Sequence, residues 1–256
     1  MTHAFFNLWH LGDCLFQCLY FQRVAPTRPE DQFVLYCQQE YHGQLSETVE
    51  HLPNVSLRPV QERTPEALDC WIGAGEFWHR HHFRSDYLLF YIDWFERISA
   101  QAGLDNPFRQ KKDFWFDYPA LSKPTPLSRH YDFLVVNSPP KSGQFQYRPE
   151  ELAALVARLA WRHSVVTTHP TGLPDVPATT DHNITITGVG NVSNQCDYHL
   201  MISTGPSWPT FNVLNVVTVR LRMILLNNII LDYGPTCHHF GHVLEAQNFL
   251  ASRSLI

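Results

Sequence analysis

The sequence predicts an α/β fold with parallel sheets, and three observations lead to this prediction. Short apolar runs alternate with helical patterns along the 256 residues, and each half of the chain contains four or five such runs. A stretch with three prolines in eleven residues, 118–128, separates the halves. We therefore expect two doubly wound, Rossmann-like domains, over 1–120 and 129–256, joined by a linker at about 118–128.

The elements of the first half follow from apolar periodicity and from turn residues. Gly12 ends the first strand, and Asp13 is placed to cap the helix after it. Tyr87 opens a strongly amphipathic pattern that stops at Gly103. The predicted strands are 4–9, 32–37, 55–60 and 68–72, and the predicted helices are 14–23, 44–51 and 87–102.

The second half repeats the alternation. Pro149 at a first helical turn, followed by two glutamates, marks a clear helix start. The alternating Ile and Thr residues of 183–187 indicate a strand. The predicted strands are 132–136, 164–168, 183–187, 198–202 and 229–232, and the predicted helices are 149–162, a long one from about 207, and 240–251.

Composition excludes several classes of protein. A net charge of −5 argues against a surface for nucleic acid or anionic membranes, and no apolar run is long enough to cross a bilayer. The amino-terminal residues do not resemble a signal peptide, so we expect a cytoplasmic protein with six reduced cysteines. Cys14 and Cys18 share a helix face and are expected to be buried. The dinucleotide pattern GxGxxG and the P-loop pattern are absent from the sequence.

Ligands of doubly wound folds bind at the carboxyl ends of the strands, where this chain concentrates polar residues and glycines. In the first half these are Asp13, Gly73 and Gly75. In the second half they are Ser138, Lys141, His169, Gly188 and the run 203–207.

The run Ser203-Thr-Gly-Pro-Ser207 combines hydroxyls with a glycine between a strand and a predicted helix. Its ordinary interpretation is a capped helix with proline in the first turn. Its functional interpretation is a phosphate site, because the N–H groups of a helix start attract anions and Gly205 allows a close approach. Both interpretations stay open from the residues alone.

Four further features have two or more interpretations. Asp13, after His10 and Gly12, is either a helix cap or a general base at the rim of a cleft. Lys141 is either a solvated charge or a partner for a pyrophosphate. The segment His79-Arg-His-His-Phe-Arg84 is an exposed loop, a metal site or an acceptor-binding loop. His238 and His242 could share a helix face, although Gly241 favours a helix start over a zinc site.

Two motifs resemble the bacterial heptosyltransferases of glycosyltransferase family 9. Leu11-Gly-Asp13 resembles their amino-terminal turn, and the stretch from Asp197 through Ser203-Thr-Gly-Pro206 resembles their nucleotide-sugar turn, D-x-x-[IV]-x-x-[DS]-[ST]-G-[PT]. The order of elements agrees over most of the chain. The resemblance implies the GT-B fold, in which two Rossmann-like domains face each other across a cleft.

The resemblance also implies an activity, which is inverting sugar transfer from a nucleotide-sugar donor to a saccharide hydroxyl in polysaccharide biosynthesis, without metal or other cofactor. Asp13 would be the catalytic base. The resemblance matches the donor-phosphate turn to Ser203, Thr204, Gly205, Pro206 and Ser207, and a basic residue against the pyrophosphate to Lys141. From their places after predicted strands, Ser138, His169 and Gly188 are further expected donor-binding residues. The expected acceptor-binding residues lie near Asp13 and in the segment 79–84, and are His10, Gly12, His79, His81, His82 and Arg84. The alternatives are a nucleotide-sugar epimerase or hydrolase, and a non-catalytic nucleotide-sugar-binding protein.

Overall fold

The computed structural model describes residues 1–73, 86–141, 145–226, 234 and 236–256. The chain divides into two compact units, Met1–Ala120 and Leu121–Ile256. The boundary lies inside the proline-rich stretch, where Pro119–Ser122 forms a short 3-10 helix.

The first unit contains a four-stranded parallel sheet with the strand order β3-β2-β1-β4. Because every strand runs the same way, the carboxyl ends of all four lie at one edge. The elements are β1 Thr2–Asn7, α1 Leu11–Val24, β2 Gln32–Cys37, α2 Gln39–Val49, β3 Val55–Pro59, β4 Leu68–Asp69 and α3 Tyr87–Ala102.

Helix α3 has the predicted bounds because both of its ends are encoded locally. The Asp86 carboxylate accepts a hydrogen bond from the Leu88 N–H at 2.9 Å, which caps the first turn. Gly103 follows the last turn with φ of 67°, a left-handed conformation that glycine adopts at little cost. The buried face of α3 packs aromatic side chains against α1, including Tyr91 and Phe16, whose ring centroids are 4.3 Å apart.

The second unit contains a five-stranded parallel sheet with the strand order β6-β5-β7-β8-β9. Helices α4 and α7 bury Leu155 and Leu250 in the same core as Phe133 and Leu200 of the sheet. The elements are β5 Tyr131–Val136, α4 Pro149–Arg162, β6 Val165–Thr167, α5 Ile186–Ser193, β7 Cys196–Ile202, α6 Asn215–Thr218, β8 Leu221–Leu225, β9 Cys237–Phe240 and α7 Val243–Ser252.

The prediction of a strand at 183–187 is wrong. Helix α5 begins at Ile186, and the hydroxyl of Thr185 caps it by accepting the Gly188 N–H at 3.2 Å. The alternation of Ile and Thr imitates a strand, but the same Thr residue is also a preferred helix cap. The tertiary environment decides, because residues 186–193 are all buried.

The prediction of a long helix from about residue 207 is also wrong. A 3-10 helix covers Gly205–Thr210, with Pro209 inside it, and the short α6 follows after a break. Asn215 accounts for part of the break, because its side chain donates to the Thr210 carbonyl and to the Ser193 hydroxyl. The Asn215 side chain thus competes with a backbone N–H for the Thr210 carbonyl, which a continuous helix would need for its own hydrogen bonds.

The carboxyl-terminal region differs from the prediction in three ways. Strands β8 and β9 were not predicted, the strand predicted at 229–232 lies outside the described residues, and α7 begins at Val243 rather than at Phe240, which ends β9. Within the described part of the chain, no helix combines the length and apolarity needed to cross a bilayer. All six cysteines are free thiols, and Cys14 and Cys18 are fully buried as expected.

Candidate functional site

The first candidate site lies at the carboxyl end of β1, where the chain turns into α1. The side-chain carbonyl of Asn7 accepts the Trp9 N–H at 2.9 Å and the His10 N–H at 3.4 Å. This turn lets α1 start at Leu11, three residues earlier than predicted, so Gly12 and Asp13 lie inside its first turn. The expectation that Asp13 caps the helix is therefore wrong, since His10 occupies the cap position.

Asp13 is buried, with 8% of its surface exposed. The Tyr91 hydroxyl of α3 donates to Asp13 Oδ1 at 2.6 Å, and Tyr87 donates to the Tyr91 hydroxyl at 3.4 Å. Tyr91 could not be identified from sequence, because its spacing within α3 is that of an ordinary core residue and it lies 78 positions from Asp13.

Burial controls the protonation of this pair. Loss of hydration raises the pKa of Asp13 from 3.8 to about 7, against the smaller lowering effect of the Tyr91 hydrogen bond. Burial also holds the pKa of Tyr91 well above its ordinary value of 10, so Tyr91 stays a hydrogen-bond donor. A carboxyl group with a pKa near neutrality can take up and release a proton under physiological conditions.

Two tryptophans lie beside this turn. The rings of Trp9 and Trp71 have centroids 5.2 Å apart, and the His10 ring is 6.0 Å from that of Trp71. Trp9 is 57% exposed. His10 was predicted for the acceptor side, whereas the two tryptophans were not predicted as site residues.

The second candidate site lies at the carboxyl ends of β5 and β6, which Asn137 connects. Its side-chain carbonyl accepts the N–H groups of Thr168 and His169 at 3.1 and 2.8 Å, and its amide donates to the His169 carbonyl at 2.9 Å. Ser138 Oγ lies 2.9 Å from Thr168 Oγ1 and 3.1 Å from His169 Nδ1. Burial lowers the pKa of His169, which favours the neutral imidazole. The structure thus brings the predicted residues Ser138 and His169 together.

The run 203–207 follows β7, at the same edge of this sheet. Most of its polar groups serve the fold: the Ser203 N–H donates to the Leu225 carbonyl at 3.1 Å, and the Ser207 N–H donates to the Thr204 carbonyl at 3.0 Å. The Thr204 N–H donates to Ser207 Oγ at 3.3 Å. The Gly205 N–H has no hydrogen-bond partner within the described ranges, and Pro206 has no N–H.

The remaining predicted residues divide into three groups. Lys141 is exposed on the segment after β5. Gly188 lies in the first turn of α5 and not at the end of a strand, because the strand expected before it is not formed. Gly75 and the predicted acceptor residues His79, His81, His82 and Arg84 lie outside the described residues.

The histidine-rich segment near the carboxyl terminus has a structural role. His238 belongs to β9, and His242 caps α7, where Glu245 Oε2 accepts the His242 N–H at 3.1 Å. Across the ranges that the structure covers, no group of three or more His, Cys, Asp or Glu side chains is placed to hold a metal ion.

Comparisons with known proteins find similarity in structure and none in sequence. No family model matches the chain, and no curated protein matches its sequence. Among solved structures, E. coli heptosyltransferase WaaC with ADP-2-deoxy-2-fluoro heptose matches with a TM-score of 0.61 at 11% identity, over 99% of this chain and 100% of that one.

Two further solved structures agree. The glycosyl transferase family 9 protein from Veillonella parvula matches with a TM-score of 0.53 at 12% identity, over 99% of this chain and 89% of its own. The E. coli ADP-heptose lps heptosyltransferase II matches with a TM-score of 0.51 at 10% identity, over the full length of both chains. The resemblance drawn from the two sequence motifs is thus confirmed at the level of structure: this chain has the α/β fold, with two parallel sheets, of the heptosyltransferases and the glycosyltransferase family 9 protein.

Proposed function

We propose that this protein is an inverting, metal-independent glycosyltransferase that moves a sugar from a nucleotide-sugar donor to a hydroxyl of a saccharide acceptor. In this proposal the two units form a GT-B arrangement, the first unit takes the acceptor and the second takes the donor. The WaaC structures matched by this fold contain ADP and ADP-2-deoxy-2-fluoro heptose, which supports a nucleotide-sugar donor. We also propose a cytoplasmic location and a role in polysaccharide biosynthesis, as the resemblance implies.

The observation that carries the proposal is the Asp13–Tyr91 pair. A general base must be ionised at the working pH and still basic enough to accept a proton, which requires a pKa close to neutrality. An ordinary aspartate fails the second condition, but burial brings the pKa of Asp13 to about 7. Its place at the carboxyl end of β1 is the edge where ligands of doubly wound folds bind.

The proposed reaction is a single displacement at the anomeric carbon of the donor sugar. The acceptor hydroxyl gives its proton to Asp13 Oδ2, because Oδ1 already accepts the Tyr91 hydroxyl. The acceptor oxygen forms a bond to the anomeric carbon of the donor sugar from the face opposite to the leaving group. The bond between that carbon and the diphosphate oxygen breaks, and the nucleoside diphosphate leaves with the electron pair.

The second unit would stabilise the leaving diphosphate. The Gly205 N–H can donate to a phosphate oxygen, and Lys141 supplies a positive charge. Neutral His169, whose Nδ1 is oriented by Ser138, can donate from Nε2. Gly188 would contribute indirectly, because its helix, α5, packs beside the Gly205–Thr210 helix.

A transfer assay with an Asp13→Asn variant tests this proposal. We expect the wild-type protein to release nucleoside diphosphate from one of a panel of nucleotide sugars, ADP-heptose included, only when a saccharide acceptor is present. Asp13→Asn should lower kcat/KM by about 100-fold or more, since the acceptor proton loses its base. Asp105→Asn, which alters an exposed carboxylate of the same unit, is the matched control and should keep full activity.

Three results would count against the proposal. Full transfer activity in Asp13→Asn would show that Asp13 is not the general base. Nucleotide release without any acceptor would indicate a hydrolase, and conversion of the donor sugar without release would indicate an epimerase.

A further inference from the structure

Two contacting tryptophans at the turn before α1 are not used by the proposed chemistry. Trp9 precedes the first turn of α1, and its ring lies against that of Trp71, with centroids 5.2 Å apart and an angle of 37° between the planes. Single exposed apolar side chains are common on protein surfaces, but two contacting tryptophans, one of them 57% exposed, form a continuous aromatic surface. We call Trp9 and Trp71 the tryptophan pair.

The backbone on both sides of the pair is held in place. The Trp9 N–H donates to Asn7 Oδ1 at 2.9 Å, and the Trp9 carbonyl accepts the Tyr41 hydroxyl at 3.0 Å. The Trp71 N–H donates to Asp69 Oδ1 at 2.9 Å. Fixed backbones on both sides mean that little conformational entropy is lost when a ligand packs on the rings.

Gly73 gives a second indication of a fitted arrangement. A Cβ atom added at Gly73 would lie 2.4 Å from a ring carbon of Trp71, so the indole ring occupies the space that any side chain at this position would need. The position of the Trp71 ring therefore depends on the glycine. This makes Gly73→Ala a way to displace the ring without removing an aromatic side chain.

Charges of both signs lie near the pair, because Arg63 and Arg97 act electrostatically on the Asp69 carboxylate. Asp69 holds the backbone of Trp71, and Asp13 lies in the helical turn that follows Trp9 and His10. The residues that anchor the pair, Asn7, Tyr41 and Asp69, contribute no positive charge. The face of an indole ring is itself electron-rich, so it attracts weakly positive C–H groups.

We propose that the tryptophan pair binds the apolar C–H face of a neutral pyranose residue in the acceptor glycan. This proposal rests on the proposed function, since it assigns a substrate class to the acceptor side of the same site. A sugar ring stacked on the pair would present its hydroxyls to the side, and Asp13 lies four positions after Trp9, in the first turn of α1. In this proposal the acceptor is selected by stacking of its ring on the two indoles.

Binding to a printed array of neutral and anionic oligosaccharides tests the proposal, with full-length labelled protein. We expect wild-type binding to neutral glycans, and a loss of about tenfold in affinity for Trp9→Ala and for Gly73→Ala, the size expected when a stacking aromatic is removed or displaced. Trp9→Phe should retain most of the binding. Trp161→Ala is the matched control, because Trp161 is 80% exposed in the other unit, and it should bind as wild type does.

A measurement on the unmutated side chains covers the case in which a variant fails to fold. Protein labelled with 5-fluorotryptophan should show a shift of the Trp9 fluorine resonance, assigned through Trp9→Phe, when the best array glycan is added. No glycan binding, binding to anionic glycans alone, or an unmoved Trp9 resonance would overturn the proposal.

The outcomes separate this proposal from the proposed function. Sugar transfer with an unchanged acceptor KM in Trp9→Ala would overturn the role of the tryptophan pair and leave the glycosyltransferase intact. Glycan binding that depends on Trp9, in a protein that binds no nucleotide, would overturn the transferase and leave the glycan site intact.

Discussion

At the scale of single residues, the protonation of Asp13 results from two opposed effects. Burial disfavours the charged carboxylate, whereas the Tyr91 hydroxyl, 2.6 Å from Oδ1, stabilises it. Tyr91 does not touch the acceptor in the proposed step, so it is a positioning residue that also sets the pKa of the base.

Tyr91→Phe should therefore move the pH profile of transfer. Loss of the hydrogen bond removes the effect that lowers the pKa of Asp13, so that pKa rises above about 7. The base acts when it is ionised, and the acidic limb of kcat/KM should shift to higher pH, with most activity recovered at alkaline pH. Tyr20→Phe is the matched control, because it also removes a buried hydroxyl, one that contacts Ser99 at 2.9 Å. An acidic limb that stays in place, or moves to lower pH, would contradict this role.

Asp13 should also lower the stability of the folded protein at neutral and higher pH. Its pKa is raised in the folded state, from 3.8 to about 7, so its stabilising contribution is complete below pH 3.8 and is lost as pH rises towards 7. Asp13→Asn has no such dependence. The free energy of unfolding of Asp13→Asn, relative to that of wild type, should therefore rise by about 2–3 kcal/mol between pH 5 and pH 8. The rise should be about 1.4 kcal/mol for each pH unit up to pH 7. Urea unfolding at both pH values measures this stability difference. The same difference at pH 5 and at pH 8 would show that burial does not raise the pKa of Asp13.

At the scale of elements, local signals predicted some helices to the residue. The bounds of α3 and α4 agree with expectation, because a cap or a first-turn proline and an amphipathic period all lie within the helix itself. The errors at 183–187 and after Ser207 have the opposite cause. At 183–187 the Thr185 cap is local, and burial of residues 186–193 decides between helix and strand. After Ser207, the Asn215 amide donates to Ser193, 22 positions away.

Two glycines allow a test of the helix assignments. Neither Gly43 nor Gly103 has an atom within 4 Å of an added Cβ, so the backbone alone decides the effect of alanine. Gly103 has φ of 67°, and Gly103→Ala should cost about 1–2 kcal/mol. Gly43 lies inside α2, and Gly43→Ala should stabilise by about 0.5–1 kcal/mol. Thermal or urea unfolding gives both values, and the same sign for both variants would contradict one of the two assignments.

At the scale of the whole molecule, the candidate residues are divided between the two compact units. Asp13 and the tryptophan pair belong to Met1–Ala120, whereas Ser138, His169 and the run 203–207 belong to Leu121–Ile256. The proposed reaction assigns the acceptor to the first set and the donor to the second, so binding of each ligand can be measured with the other site altered.

A screen of nucleoside diphosphates should identify the donor base by a rise in melting temperature. A diphosphate present at a hundred times its Kd stabilises by about 2.7 kcal/mol. Asp13→Asn should keep the rise caused by the diphosphate, because Asp13 lies in the first unit, and Lys141→Ala should reduce it. The absence of a shift with every nucleoside diphosphate would contradict the donor site.

The alternation of strands with helices in two halves, and the candidate turns that contain Asp13 and the run 203–207, were predicted from the sequence alone. These predictions follow from short-range periodicity and turn chemistry, which a few neighbouring residues encode. The burial of Asp13 under Tyr91, the helical position of Gly188 and the contact between Trp9 and Trp71 came from the tertiary structure. Each of these depends on desolvation or on contacts between residues far apart in the chain, and no local pattern records such contacts.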